Sequence, residues 1–309
     1  MSTMQFEKAS RKKAKLRLNL SAPSGAGKTM SALLMAKGLV GKWEKIGVID
    51  TENESASLYE HLGPFFTLPL SAPFTPERYI EAINAGISAG LECIIIDSSS
   101  HEWNGLGGCI DLNEKLAQTK YKGNTWSAWN EITPRHDKFV QTVLQAPVHI
   151  ITCTRSKMET VMTDDKKVKK LGMKDIQREG WEYELTVSLN IDRDTHTAIA
   201  SKDRTELFEG KDPFIITEKT GELIRQWCEQ GIEAPTWHLT TEQQGELQSL
   251  INNSTLTKER KDKAAEAVVK AKSDADIQKI KTALLKEQKQ PEVTGMTTKE
   301  ARDNQYERS

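Results

Sequence analysis

Residues 21–29, SAPSGAGKT, join a short apolar run to an amphipathic stretch through a glycine-rich loop that ends in lysine and threonine. They follow the pattern G-x-x-x-x-G-K-[ST] except at the first glycine, where Ala22 stands. Backbone N–H groups in such a loop bind phosphates, the lysine reaches the terminal phosphates and the hydroxyl binds Mg²⁺. The sequence therefore predicts a nucleotide-phosphate loop whose binding residues are Ser24, Gly25, Ala26, Gly27, Lys28 and Thr29.

Short apolar runs alternate with longer amphipathic stretches on both sides of this loop. The runs are continuously apolar, which is typical of strands that are buried on both faces of a parallel sheet. The stretches between them, 30–40, 76–89 and 126–144, have the length and spacing of helices. This alternation predicts an α/β fold with a mostly parallel central sheet flanked by helices. The runs are LRLNL (16–20), IGVID (46–50), FFTLPL (65–70), ECIIID (92–97) and VHIITC (148–153).

The remaining regions differ in composition and in hydrophobic pattern. ELTVSLNID (184–192) and HTAIAS (196–201) alternate and are joined by a short turn, which predicts an antiparallel hairpin at the sheet edge. We expect a basic N-terminal segment (1–14), an α/β core (15–232), an all-α module (239–290) after a proline-containing linker, and a disordered tail (291–309).

Composition excludes several classes of protein. The net charge is −1 with 28% charged residues, which excludes a basic nucleic-acid coat and an acidic disordered chain. No apolar run approaches the roughly 20 residues of a membrane span, and no secretory signal is visible. The four cysteines form no CxxC pair and the six histidines show no metal-ligand spacing, so we expect neither disulfides nor a zinc site. A cytoplasmic protein without membrane contact is the resulting expectation.

Acidic residues at two strand ends are candidates for the hydrolytic chemistry. Asp97 ends the run ECIIID, where its carboxylate could join Thr29 at a Mg²⁺ ion. VIDTENES (48–55) supplies Asp50, Glu52 and Glu54, one of which could position water against the terminal phosphate. The alternative is that these three carboxylates form a solvated acidic turn.

A strand that ends in I-D-x-E at this place resembles the RecA superfamily of recombinases. The resemblance implies that Glu52 is the general base. It also implies a role for ASKDRT (200–205), which is similar to the K-x-K segment through which RecA-type filaments insert cations into a neighbouring subunit's ATP site. Lys202 and Arg204 would be those cations, so the active site would be completed between protomers.

The same resemblance implies two DNA-facing segments, 105–126 and 155–178. The second contains eight Lys or Arg against four Asp or Glu, and a mobile basic loop of this kind can follow phosphates. The alternative is an ordinary solvated loop. Thr152, Thr154 and Arg155 lie where the superfamily places polar residues that sense the γ-phosphate, although the glutamine of that pattern is missing. The candidate DNA-binding residues are Arg155, Lys157, Lys166, Lys167, Lys169 and Lys170.

Two further features are compatible with nucleic-acid binding. KASRKKAKLR (8–17) holds six cations, and we expect it near the nucleotide end of the first strand. Trp103, Tyr121, Trp126 and Trp129 could stack on unpaired bases, but the spacing of Trp126 and Trp129 favours a helix that packs onto the core.

The short N-terminus before the first strand makes the chain similar to phage-encoded, core-only RecA-like ATPases of the AAA type that are associated with single-strand annealing. The resemblance implies ATP, Mg²⁺, single-stranded DNA and a homo-oligomer, either ring or filament, acting in recombination, annealing or replication repair. The C-terminal helices would bind a single-strand binding or annealing protein. Two alternatives stay open: an ATPase that loads or remodels a replication protein with little DNA contact, and a nucleotide-regulated binding module with negligible turnover.

Overall fold

The computed structural model describes residues 13–162, 168–231, 241–254, 256–271 and 274–288. The chain divides into two compact units, Met1–Ile232 and Glu233–Ser309. The expected disordered tail and most of the expected basic N-terminal segment lie outside the described residues.

The first unit contains a nine-stranded, mostly parallel sheet in the order β3-β2-β4-β5-β1-β7-β8-β9, with β6 paired to β5. The strands from β3 to β7 in this order run parallel, and the pairs β7–β8, β8–β9 and β5–β6 are antiparallel. The predicted α/β class is thus confirmed. The strands are β1 Arg17–Ala22, β2 Ile46–Asp50, β3 Phe66–Pro69, β4 Cys93–Asp97, β5 His149–Met162, β6 Val168–Asp175, β7 Val187–Ile191, β8 Thr197–Asp203 and β9 Phe214–Ile215.

Helices cover both faces of this sheet. The helices of the first unit are α1 Lys28–Val40, α2 Pro76–Ser88, α3 Ser100–Asn104, α4 Cys109–Lys120, α5 Thr125–Gln145, α6 Trp181–Glu184 and α7 Glu218–Glu229. In β4, Ile95 belongs to the apolar core that holds α1, whereas Ile94 and Ile96 belong to the core beneath α2 and α5. The apolar run is continuous because each face of the strand is buried in its own core.

A close contact between α1 and α7 depends on two glycines. A methyl group on Gly38 would lie 1.8 Å from the carbonyl oxygen of Glu218, and one on Gly221 would lie 2.0 Å from the carbonyl oxygen of Met35. Only glycine permits this backbone approach. The contact fixes α1, the helix that follows the glycine-rich loop, against the end of the unit.

Two expectations about the sheet are wrong. The segment 155–178 is not a loop, because β5 continues to Met162 and pairs with β6 in an antiparallel hairpin. The first strand begins at Arg17 and its carboxyl end is Ala22, so residues 13–17 lie at the edge opposite the glycine-rich loop. Arg17 is buried and donates hydrogen bonds to the carbonyl oxygens of Leu144 and Val148, and it is therefore a structural cation rather than a surface one.

The second unit contains α8 Thr241–Asn252, α9 Lys258–Lys270 and α10 Asp274–Gln288. Its buried side chains include Leu247 and Ile251 of α8 and Ile277 and Leu284 of α10. These residues recur at helical spacing, so each helix places one apolar face in a shared core. No helix among the described residues of the chain has the length and apolarity needed to cross a membrane.

Candidate active site

The glycine-rich loop lies at the carboxyl end of β1, which is the middle strand between β5 and β7. Gly25 and Gly27 have φ values of 81° and 87°, a left-handed conformation that favours glycine. Gly27 is the N-cap of α1 and has no side chain that could cap the helix. The first N–H groups of α1 are thus left for an anion, which the helix dipole also favours.

Alanine fits the first position of the loop motif. Ala22 is the last residue of β1, pairs with Arg155 of β5 and is 1% exposed. A residue in extended backbone does not need the conformational freedom of glycine. The departure from the motif therefore leaves the turn that follows it unaffected.

Lys28 is folded back onto the loop. Its Nζ donates hydrogen bonds of 2.9 Å to the carbonyl oxygens of both Ala22 and Pro23. A phosphate that accepts from this ammonium would replace neutral carbonyl partners with a charged one, and charge-assisted hydrogen bonds are the stronger kind. These two contacts keep the Lys28 ammonium beside the loop, where it could donate to a bound phosphate.

Thr29 and Asp97 form the candidate metal site. The Thr29 hydroxyl donates to Asp97 Oδ2 across 2.5 Å, from the first turn of α1 to the end of β4. Burial raises the pKa of Asp97 to about 6, and the neighbouring carboxylates of Glu52 and Asp50 add to this rise. Hydroxyl and carboxylate oxygens are ligands that Mg²⁺ prefers, so the residues fit this ion.

The two acids at the end of β2 have different environments. Asp50 accepts hydrogen bonds from the backbone N–H groups of Glu52 and Ala56, both 2.7 Å long, and thereby fixes the turn after the strand. Glu52 instead turns its side chain toward β5. The solvated acidic turn is thus a poor description of Asp50, which is 2% exposed.

Arg155 holds both carboxylate oxygens of Glu52. Its Nε donates to Oε1 at 2.8 Å and its terminal NH2 group donates to Oε2. Burial is the largest single influence and raises the pKa of Glu52, but the hydrogen bonds and charge of Arg155, together with His101 and Ser98, hold that pKa below its ordinary value. The candidate general base is therefore engaged by the first residue of the segment expected to face DNA.

Two histidines near the site were not predicted from the sequence. His101 Nδ1 lies 2.8 Å from the Thr51 hydroxyl, and the imidazole contributes to the lowered pKa of Glu52. His196 Nδ1 lies 3.1 Å from the carbonyl oxygen of Ala26 in the glycine-rich loop. Neither residue belongs to a recognisable motif, because each reaches the site through the sheet topology rather than through sequence spacing.

Comparison with known proteins agrees with this geometry. A family model described as an AAA domain matches residues 14–214, which include the loop, Asp97, Glu52 and Arg155. The chain belongs to the AAA domain family. Its first unit is accordingly a nucleotide-binding ATPase domain. A search of the curated proteins finds no match to this chain.

The AAA domain places Lys202 and Arg204 away from its own nucleotide loop. Lys202 pairs with Ser188, and the backbone N–H of Arg204 donates to the carbonyl oxygen of Thr186, near the start of β1. Both side chains donate to the carbonyl oxygen of Tyr183. The loop follows the carboxyl end of β1, so Arg204 lies toward the end of that strand opposite the loop.

The β5–β6 hairpin of the AAA domain carries the predicted DNA-binding residues. Lys157 is exposed on β5, and Met158 and Met173 form an exposed cross-strand pair beside it. Lys169 and Lys170 belong to β6, whereas Lys166 and Lys167 lie outside the described residues. The hairpin thus begins beside the glycine-rich loop, where Arg155 pairs with Ala22, and carries the exposed Lys157 two residues farther along β5.

A buried polar network fixes the base of this hairpin. Asp175, at the end of β6, accepts hydrogen bonds from Asn19, Ser21 and Thr154. Thr152 bonds to Asn19 on the same face of the sheet. This face is opposite to the one that packs on α1, so the two threonines support the hairpin and do not line the nucleotide loop.

The segment 105–126 contains the helix α4, and the candidate stacking tryptophans in and beside it differ in exposure. Trp126 is 85% exposed, so the expectation that it packs on the core is wrong. Trp129 stacks on Trp103 with ring centroids 5.3 Å apart, which agrees with the packing interpretation for that residue.

Proposed function

We propose that this AAA domain is a Mg²⁺-dependent, RecA-like ATPase whose hydrolysis is controlled by single-stranded DNA on the β5–β6 hairpin, and that it acts in recombination, annealing or replication repair. The observation that carries the proposal is the bidentate contact between Arg155 and Glu52. It links the candidate base to the candidate DNA-binding element through one side chain.

The chain's own residues divide the work of hydrolysis. The loop N–H groups and Lys28 bind and orient the phosphates of ATP, which is the substrate. Mg²⁺ at Thr29 and Asp97 would neutralise charge that develops on the transferred phosphoryl group. Glu52 positions the attacking water and accepts its proton at a carboxylate oxygen, which requires that this oxygen be free.

Arg155 opposes that role as long as the ion pair is intact. Both carboxylate oxygens of Glu52 are occupied, and the lowered pKa makes the carboxylate a weaker base. When the guanidinium moves away, burial remains and the pKa of Glu52 rises toward the range of a useful base. Hydrolysis should therefore be slow until Arg155 releases the Glu52 carboxylate.

DNA phosphates are suited to compete with Glu52 for Arg155. Arginine binds phosphate in the same bidentate manner as carboxylate, and the nearby Lys157 would attract the same backbone. The backbone of Arg155 is anchored, since its carbonyl oxygen accepts the N–H of Ile176 across 2.7 Å. DNA binding would thus change the side chain's partner without unfolding the hairpin base.

The ATPase rate with and without single-stranded DNA tests this proposal. We expect DNA to raise the rate, and we expect Lys28→Ala and Glu52→Gln to abolish turnover. Arg155→Ala should raise the DNA-free rate and reduce the stimulation by DNA. Arg178→Ala is the matched control, because Arg178 lies just after β6 in the same segment 155–178 but pairs with Asp137 and should leave the DNA-free rate unchanged.

The remaining outcomes separate the alternatives. A wild-type rate that is indifferent to DNA at low and moderate salt would contradict DNA control and favour an ATPase that loads or remodels another protein. ATP binding without turnover would favour the nucleotide-regulated module. We further propose that the AAA domain acts as a homo-oligomer, and that α8–α10 bind a single-strand binding or annealing protein.

A further inference from the structure

Three potential metal ligands meet where α3, α4 and α5 come together. Cys109 Sγ lies 3.1 Å from Glu102 Oε1 and 4.0 Å from His136 Nδ1, and His136 Nδ1 lies 3.0 Å from Glu102 Oε1. For zinc bonds of about 2.0–2.3 Å in a tetrahedron, neighbouring ligand atoms are roughly 3.4–3.6 Å apart. The observed separations bracket this range, so small side-chain shifts would complete the geometry.

The three side chains are enclosed. Glu102 and Cys109 are 0% exposed and His136 is 3% exposed. A substrate cannot reach a thiol in this position, which argues against a nucleophilic cysteine assisted by the histidine. A buried carboxylate is costly unless it is hydrogen-bonded or paired with a charge, and Glu102 accepts hydrogen bonds from Cys109 and Gln177 and lies within hydrogen-bond distance of His136 Nδ1. A divalent cation would supply a full compensating charge at this position.

We propose that Glu102, Cys109 and His136 bind one Zn²⁺ ion through a carboxylate oxygen, the thiolate sulfur and Nδ1 of the imidazole. Binding forms one bond each from zinc to the carboxylate oxygen, the sulfur and Nδ1. The thiol proton passes to solvent, the imidazole binds as the tautomer that carries its proton on Nε2, and the oxidation state of zinc does not change. The thiolate and the carboxylate together balance the charge of the ion, so the buried site is neutral. This inference goes beyond the proposed ATPase function and does not depend on it.

The three ligand atoms favour Zn²⁺ over Mg²⁺, the ion proposed for the nucleotide site. Thiolate and imidazole are soft or borderline ligands that suit Zn²⁺, whereas Mg²⁺ prefers oxygen. Three protein ligands leave the fourth position of the ion for a water molecule. Zinc at Thr29 and Asp97 would lack both sulfur and nitrogen ligands, so the two sites are distinguishable by chemistry.

Neighbouring residues support the ligands. Gln177 Nε2 donates to Glu102 Oε2 at 3.4 Å and to the carbonyl oxygen of Ser99 at 3.0 Å. The Trp103 ring meets the His136 ring edge to face at 5.2 Å. Such contacts orient metal ligands and exclude solvent. A bound ion would therefore tie α4 and α5 to α3, the helix that follows Asp97.

Titration of the metal-free full chain with Zn²⁺ tests the proposal, in the presence of excess Mg²⁺ and nucleotide to occupy the other site. We expect binding of one equivalent and a rise in melting temperature that saturates at that ratio. With Co²⁺ as the probe, wild-type protein should show the near-ultraviolet charge-transfer absorption of a cobalt–thiolate bond. Absence of zinc binding, or of this absorption, would overturn the proposal.

Variants locate the site. Cys109→Ser and His136→Gln should weaken Zn²⁺ binding by more than the roughly 10–100-fold that loss of a supporting hydrogen bond costs. Cys93→Ala is the matched control, because Cys93 is equally buried in β4 but lies outside the cluster, and it should bind zinc like the wild type. Undiminished binding in both ligand variants, or equal loss in the control, would place the ion elsewhere. If a ligand variant does not fold, the wild-type cobalt spectrum still decides whether a thiolate binds the metal.

Discussion

Two carboxylates of the AAA domain are shifted in opposite directions by their surroundings. Burial raises the pKa of Asp97 to about 6, whereas Arg155 overcomes the burial of Glu52 and lowers its pKa. Groups whose environments separate their pKa values in this way commonly perform different roles. The opposite shifts are compatible with the different roles proposed for these two acids, metal binding for Asp97 and proton transfer for Glu52.

His149 should make the AAA domain sensitive to acid. It is buried at the start of β5, where Nδ1 accepts the backbone N–H of Leu16 at 2.9 Å. Burial, together with the charges of Lys15 and Arg17, lowers its pKa to about 3. Between its ordinary pKa and this value the unfolded state binds the proton and the folded state does not, so stability falls as pH falls.

His149→Asn keeps an acceptor for Leu16 but cannot titrate. From pH about 7.5 to about 5.5, the wild type should lose about 1.4 kcal/mol more unfolding free energy than the variant. Urea unfolding at both pH values measures the difference. The comparison must be between the two proteins, because the raised pKa of Asp97 acts in the opposite direction in part of this range. Equal losses would contradict a neutral, buried His149.

At the level of elements, strands were predictable where burial dictates sequence. The run ECIIID identifies β4 because Ile94, Ile95 and Ile96 all face apolar cores. The β5–β6 hairpin gave no such signal: Met158 and Met173, which pair across its strands, are 46% and 47% exposed. Exposed apolar residues of this kind do not give the regular apolar–polar alternation by which sequence patterns detect a half-buried strand.

The candidate active site also has parts that the sequence predicts and parts that it does not. The nucleotide loop was predictable because its residues are contiguous. The contact between Glu52 and Arg155 was not, since it joins residues brought together only by the order of β2, β4 and β5. The cluster for which we propose zinc gave no sequence signal, because Cys109 and His136 lie on separate helices and no sequence spacing relates them.

The packing of α1 on α7 can be tested at Gly221. Gly221→Ala should destabilise the AAA domain by about 1–3 kcal/mol, because the added methyl group would overlap the carbonyl oxygen of Met35. Urea unfolding measures this loss. Gly245→Ala in α8 is the matched control, since a methyl group there meets no atom within 4 Å and should leave unfolding of the domain unchanged. Unchanged stability of Gly221→Ala would mean that the two helices separate easily.

At the scale of the whole molecule, net charge conceals how basic residues are distributed. The chain has a net charge of −1, yet the segment 155–178 carries eight Lys or Arg against four acids. The hairpin formed by this segment starts beside the nucleotide loop, while Lys202 and Arg204 lie toward the opposite edge of the sheet. Each copy of the chain therefore has its proposed DNA contacts near its own nucleotide loop, whereas Lys202 and Arg204 lie away from that loop.

This arrangement makes a shared active site testable by mixing variants. Lys28→Ala disables a protomer's own nucleotide loop but keeps its Lys202 and Arg204, whereas Arg204→Ala keeps the loop. If Arg204 acts on a neighbour's ATP, each variant alone should be inactive and mixtures should regain ATPase activity where an intact loop meets an intact Arg204. Turnover against mixing ratio at constant total protein measures the recovery. Mixed assemblies that form but show no recovery would place Arg204 outside the reaction and leave each AAA domain to complete its own site.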